Sequence, residues 1–385
     1  MAARSSRIDA LRGFAVFGIL VVNVWAFANG LAMYHTSLAD GLSLADQWSV
    51  LLVAGLAEQK FYPIFAFLFG AGFALQTGSR RECGAARDAY LRRLRWLLAV
   101  GLVHGTLIWF GDILTAYAVT GFWLAPKAGR PLRELRTSLY LLVAVNVLVL
   151  LVLLMLGLDV FDLDFVIGQA YEAQRAHAIY STGSWSDVAS LRLHDFGVNV
   201  VSYLIFLPRL ALLFVLGVFA VRLGWLTRPA RHRAGWRKVL VAGLAVGVPL
   251  NACWSLAALW DTAFPFLPMQ VGPLADLGGP CLGAAYVAAF MLTRERLIAW
   301  LAPVGKMALT NYLTQSLVLS FLLQGFGLGL GDHLTRAQLL ALCGAMMACQ
   351  YLFCHWWLSS HAQGPFEAAW RRYTAGAAVK TAARG

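Results

Sequence analysis

The sequence predicts an all-α, polytopic membrane protein with about ten transmembrane helices and cytoplasmic N- and C-termini. Composition is one reason: 60% of the 385 residues are hydrophobic and only 13% charged, where a soluble domain carries about a quarter. Apolar runs also recur near the roughly 20 residues that a helix needs to cross a bilayer. Finally, the basic residues alternate between successive runs, as the positive-inside rule requires.

The runs lie near 11–29, 59–77, 93–110, 112–126, 137–157, 199–221, 238–259, 274–293, 298–323 and 337–358. The first is too long for a signal-peptide core, has no small-residue cleavage site and precedes further spans, so it reads as a retained helix. Ahead of the second run, LSLADQWSVLLVAGLAEQ reads as an interfacial helix leading into the membrane. The third and fourth are joined by a tight outer turn, and the fourth is short. Inside segments hold Arg4, Arg7 and Arg12; Arg80 to Arg95; Lys127 to Arg136; Arg222 to Lys238; Arg294 to Lys306; and Arg371 to Arg384, or 26 of the 31 Lys and Arg. Lys60, Arg175, Arg192, Arg209 and Arg336 fall elsewhere. Topology therefore accounts for the net charge of +12, and it argues for membrane lipids rather than nucleic acid as the neighbours of this chain.

Three parts follow: an N-terminal helical half (1–158), an extracytoplasmic segment (159–198) and a C-terminal helical half (199–385). The middle part is acidic, with Asp159, Asp162, Asp164, Glu172, Asp187 and Asp195. Its stretch FVIGQAYEAQRAHAIY reads as an amphipathic helix lying on the outer surface or capping a cavity. FLFGAGFAL and LFVLGVFAV are alike and both enter the membrane from outside, a similarity too short to establish a repeat.

An ionisable or strongly hydrogen-bonding group in hydrocarbon is expensive, so it faces a cavity or a partner. Asn23 lies in the outer half of the first span, and His35 follows in the first outside loop. Glu58, Gln59 and Lys60 stand at the outer mouth of the second. His104 nears the outer end of the third, Asp112 opens the fourth and Tyr117 lies below it. Arg209 sits near mid-membrane in the sixth, and Thr310, Asn311 and Gln315 lie at mid-depth in the ninth. The expectation is one polar cavity, open to the outside, lined by Lys60, His104, Asp112, Tyr117, Arg209, Asn311 and Gln315. Plainer readings stand beside it: Lys60 snorkelling to the interface, His104 with Asp112 stapling a turn, and Arg209 paired to Asp112 or a carbonyl.

Several chemistries are missing. The sequence has no GxxxxGK[ST] loop, HExxH, GxSxG or CxxC. The six cysteines lack metal-type spacing, so neither a disulfide framework nor a metal site is indicated.

Four stretches, RIDALRGFAVFGILVVN, LRRLRWLLAVGLVHGTLIWFGDILTAYA, GKMALTNYLTQS and GPFEAAWRRYT, resemble the YeiB-like family of bacterial inner-membrane proteins. That family carries a domain of unknown function at its C-terminal end. The resemblance spans residues 7 to 374 and implies a multi-pass protein of the inner membrane. The N-terminal part also resembles, more distantly, the transmembrane acyltransferase superfamily that includes heparan-alpha-glucosaminide N-acetyltransferase. The carriers are the Arg, Asp and Leu-Arg-Gly pattern, the span asparagine, the loop histidine and LADQW. That resemblance implies acyl transfer from cytoplasmic acyl-CoA, such as acetyl-CoA, to an outside glycan or lipid. It makes Asn23 and His35 the catalytic pair, at a spacing one residue longer than the superfamily's.

The chemistry fits the residues. An imidazole that titrates near neutrality can deprotonate an acceptor or itself take the acyl group, and an amide can donate to the developing oxyanion. Arg80, Arg81, Arg92 and Arg93 would hold the CoA phosphates, or serve topology alone. A secondary transporter for a small, anionic solute is the alternative. Homo-oligomerisation is left open.

Overall fold

The computed structural model describes residues 6–30, 42–77, 83–159, 163–259 and 267–382. Among them the chain forms fifteen α-helices and no strand. They are α1 (Ser6–Asn29), α2 (Leu44–Leu56), α3 (Phe61–Thr77), α4 (Cys83–Val103), α5 (Leu114–Leu124), α6 (Leu132–Asp159), α7 (Leu163–Thr182) and α8 (Trp185–Arg222). After these come α9 (Arg233–Leu259), α10 (Leu267–Leu292), α11 (Glu295–Ile298), α12 (Ala302–Lys306), α13 (Ala308–Leu323), α14 (Arg336–Ser360) and α15 (Pro365–Ala382).

All ten apolar runs are helical, but seven helical stretches among the described residues are long and apolar enough to cross a membrane. The runs that fall short are α4, α5 and α13. Basic residues fill the first half of α4. At 1.5 Å per residue, the 11 residues of α5 and the 16 of α13 span about 17 and 24 Å, against about 30 Å of hydrocarbon. The two short helices are largely buried. Helices such as α6 and α14 instead turn Tyr140, Leu148, Met155, Leu352 and Trp356 outward, apolar faces that a bilayer covers.

The expected interfacial helix is α2, with its start hydroxyl-capped by Ser43. It does not stop at the membrane rim. The break between α2 and α3 lies inside the bundle, where Phe61 meets Gly18 at the middle of α1 and Gly279 of α10 meets the backbone of Gln59. Glu58, Gln59 and Lys60 therefore sit deep in the bundle rather than at its outer mouth. The ninth run is broken as well, into α11, α12 and α13. Thr310 and Asn311 consequently lie in the first turn of α13, not halfway along a span.

Close approach of backbones orders the core. The two similar stretches of α3 and α8 lie side by side: a Cβ on Gly70 would fall 2.0 Å from the Phe214 carbonyl oxygen, and one on Gly217 would fall 2.0 Å from that of Phe67. Only glycine permits this contact. The helices are parallel, since Tyr62 meets Phe206 at one end of the seam and Phe69 stacks on Phe214 further along. In the same way α1 packs on α12 through Gly13 and Gly305.

Basic segments distant in sequence share one end of the bundle. Arg7 donates to the Met291 carbonyl at 2.9 Å, Arg93 lies over the Trp370 ring, and Arg222 donates to the Arg130 carbonyl. The far end holds the close of α1, the α4–α5 junction and α7. There Gly325 N–H bonds the Tyr180 carbonyl of α7 at 2.8 Å, so α7 caps the bundle.

Candidate functional site

Where α4 gives out, a π-helical turn, His104–Ile108, widens the helix; such turns concentrate at functional sites. The first residue of this turn is the His104 of the sequence reading. Its Nδ1 lies 2.9 Å from Asp112 Oδ1. A carboxylate only accepts, so Nδ1 carries the proton and a neutral ring leaves the Nε2 lone pair free. Among the described residues Nε2 has no hydrogen-bond partner, although His104 and Asp112 are each only 1% exposed. The aspartate is held in turn: Oδ2 accepts from Thr115 N–H at 2.7 Å, and its carbonyl accepts from Tyr203 O–H of α8 at 2.8 Å. The Tyr312 ring of α13 stands 5.0 Å from the imidazole.

Asn23 belongs to the same neighbourhood. Residues 16, 20, 23 and 27 share one face of α1. Phe27 stacks on Trp109 at 3.7 Å, and Val16 packs into the cluster of Tyr117 and Tyr312. That face therefore looks toward the α4–α5 junction. Asn23 is half-buried and makes no hydrogen bond among the described residues. His35, its proposed partner, lies outside the described residues, as do Arg80 and Arg81.

Arg192 of α8 closes this centre on the far side. Its guanidinium donates to the Leu107 carbonyl at 2.6 Å and to Gln324, and Gln324 donates to the Phe27 carbonyl at 3.0 Å. Burial pulls the guanidinium down to about 10. Nearby, burial pushes the Asp195 carboxyl up to about 6, against the opposing pull of His194, and Tyr180 O–H donates to it at 3.3 Å. The sequence singles out Arg192 only as one of five basic residues outside the inside segments.

The other polar residues do not join this centre. Arg209 does not reach Asp112; its Nη1 lies 2.7 Å from Asp276 of α10 and donates to Tyr62 O–H at 3.2 Å. Tyr117 O–H donates to the Tyr62 carbonyl at 2.9 Å. Lys60 is wholly buried and does not snorkel; its Nζ donates to the Ala54 carbonyl at 2.7 Å, where the end of α2 favours a cation. Glu58 accepts from Trp254 Nε1 at 2.8 Å. A further group joins α13 to α14: Asn311 meets Cys354, and Gln315 donates to Gln350 at 2.8 Å. The expected single cavity resolves into four separate polar groups, around His104, Arg209, Lys60 and Asn311. Asp276 is the residue that sequence reasoning missed, although an aspartate inside an apolar run carries the same signal that picked out Arg209.

Over 95% of its length the chain is 33% identical to the uncharacterized protein YxaH of Bacillus subtilis (strain 168), covering 93% of that protein. It is 30% identical over 99% of its length to the uncharacterized protein YeiB of Escherichia coli (strain K12), covering all of it. The chain belongs to the YeiB family. Residues 220–377 match the model described as a protein of unknown function, DUF418. An uncharacterized 39.9 kDa protein of Bacillus acidopullulyticus is 28% identical over 96% of this chain and 94% of its own. No solved structure matches the chain.

The four stretches that carry the YeiB-family resemblance meet in space. The first, at the start of α1, packs on α12 at the head of the third. The second holds His104 and Asp112, beside Tyr312 of the third. The fourth is α15. Its Glu367 accepts from Leu309 N–H at 2.9 Å and Thr310 O–H at 2.6 Å, and its Trp370 ring lies 4.3 Å from the Arg93 guanidinium. Arg93 also lies over Phe69, so two rings cover it, while Arg92 is half-buried.

Proposed function

We propose that this member of the YeiB family is a transmembrane acyltransferase of the bacterial inner membrane. It moves an acyl group from cytoplasmic acyl-CoA to a glycan or lipid acceptor outside. The supporting observation is the buried His104–Asp112 pair with a free Nε2, set beside the face of α1 that bears Asn23. Asp112 holds the tautomer that leaves Nε2 basic, the arrangement that activates nucleophiles in other hydrolytic and transfer sites.

In the reaction, an acceptor hydroxyl gives its proton to an imidazole as its oxygen bonds to the thioester carbonyl carbon. The Asn23 amide donates to the oxyanion so formed. The C–S bond then breaks, the sulfur leaves with the electron pair, and the imidazolium returns the proton to give free CoA. His35 is the base that the superfamily resemblance supplies, and His104 is the base that the geometry supplies. By the sequence topology, Arg80, Arg81 and Arg92 would meet the CoA phosphates. Labelled acetyl-CoA with purified protein tests the reading: slow hydrolysis or self-acylation is expected, lost in Asn23→Ala and in whichever histidine variant removes the base. No acetyl-CoA binding, together with unaltered cells carrying His35→Ala and His104→Ala, would sink it.

One observation favours the second reading, a transporter for an anionic solute. The α2–α3 break and the Arg209–Asp276 pair place irregular backbone and charge inside the bundle, as broken transporter helices do. Solute uptake that collapses with an uncoupler, and fails in Arg209→Gln, decides for it.

A further inference from the structure

The basic end of the bundle holds two adjoining recesses that contain none of the residues of the His104–Asp112 centre. One, of about 220 Å³, lies at the α8–α9 turn and is lined by Arg222, Arg228, Arg231 and His232. The other, of about 270 Å³, lies at the α5–α6 turn and is lined by Lys127, Arg130 and Glu134. The hydrogen bond from Arg222 to the Arg130 carbonyl joins the turns. Each recess is smaller than a drug-sized site of about 300–1,000 Å³, a size that suits a phosphate group rather than a whole cofactor.

Charge makes this more than a topology signal. Residues 222–238 contain six Lys and Arg and no Asp or Glu. Glu134 is the lone carboxylate among the lining residues, and it is 3.0 Å from Arg130, which it pairs. The carbonyls ending α8 favour one cation there, Arg222, and leave Arg228, Arg231 and His232 without that compensation. Positive-inside topology asks only that cations lie in the segment; it does not ask that two segments, far apart in sequence, hold them in neighbouring recesses joined by a hydrogen bond. Like charges so arranged repel. Partial burial and Arg130 already hold the Lys127 ammonium below its ordinary value. A multivalent anion removes that repulsion, and arginine forks suit phosphate oxygens.

We propose that the α5–α6 and α8–α9 turns form a phosphate-binding site that takes a multiply charged phosphate-bearing ligand. Two sources share that chemistry: the nucleotide phosphates of CoA, and the headgroup of an anionic phospholipid. The CoA source rests on the acyltransferase reading; the lipid source does not, and binding is read here without turnover. The test uses purified full-length protein, the double variant Arg228→Gln/Arg231→Gln, and the control Arg294→Gln/Arg296→Gln at the same end but outside both recesses. Binding of coenzyme A is measured in detergent, and thermal stabilisation by phosphatidylglycerol is measured in phosphatidylcholine nanodiscs. The first variant is expected to weaken one of these by about tenfold, the sum of two exposed charge contacts, with the control unchanged. Loss of coenzyme A binding identifies the nucleotide, and loss of the phosphatidylglycerol effect identifies the lipid. Neither probe binding, or both variants behaving alike, overturns the site.

Discussion

Two of the buried acid–base pairs among the described residues, His104–Asp112 and Arg209–Asp276, differ in how they are completed. His104 and Asp112 are both about 99% buried, lie eight residues apart in sequence and leave one ring nitrogen unsatisfied. Arg209 and Asp276 are each about four-fifths buried, come from helices 67 residues apart and are satisfied by each other and by Tyr62. The same helix, α8, serves both, through Tyr203 to the first and Arg209 to the second. A pair that closes its own hydrogen bonds ties helices together. A pair that leaves a buried ring nitrogen open carries a desolvation cost that its own bonds do not offset, and on that nitrogen the proposed base rests.

The comparison breaks most visibly in activity. His104→Ala should lower acyl transfer by about 10² to 10⁴-fold, the usual contribution of a positioned base, and Asp112→Asn should follow it while the protein still folds. Turnover assays with purified protein check this; unchanged rates would make the pair a staple like the other. Stability should show the reverse. Asp276→Ala leaves Arg209 uncompensated and should lose about 3–5 kcal/mol, while Arg209→Met/Asp276→Leu should recover most of it. Thermal unfolding in detergent separates the two variants, and equal losses would argue that the pair is more than a tie.

A smaller effect sharpens the far-end region. Folded Asp195 keeps its proton to about pH 6, whereas an unfolded aspartate releases it near pH 4. The folded state therefore binds more protons in that window, and stability falls as pH rises from about 4 to 6, by about 2–3 kcal/mol. Asp195→Asn should flatten that slope in pH-dependent unfolding. Smallest is Tyr203→Phe, which removes one hydrogen bond to the Asp112 carbonyl and should lose about 1 kcal/mol; a loss of activity far beyond that would show α8 positioning the pair.

Much of this was legible beforehand. Apolar runs and their basic flanks marked ten helical segments, because a lipid environment forces a strong, local compositional signal. His104 and Asp112 were legible as a pair because eight residues and one turn separate them. Asp276 was not matched to Arg209, and Arg192 was not recognised as buried, because nothing in the chain reports which faces of distant helices meet. The break at 57–60 falls where the interfacial helix was expected to hand over to the second span, marked by Glu58, Gln59 and Lys60, but its depth was not legible: only the packing of Gly18, Gly279 and Gly283 around Gln59, Lys60 and Phe61 sets it inside the bundle. The break near 307 was missed for a related reason.

By itself, then, the sequence determined an all-helical membrane protein of the YeiB type, since hydropathy and charge act residue by residue. Tertiary structure decided which polar groups share a site. It divided one expected cavity into four centres and left Nε2 of His104 open, among the described residues, beside the face of Asn23. It also set the basic residues of two separate turns into adjoining recesses. These outcomes depend on close approach between backbones that are remote in sequence, and glycine contacts such as Gly70 with Phe214 bring that approach about.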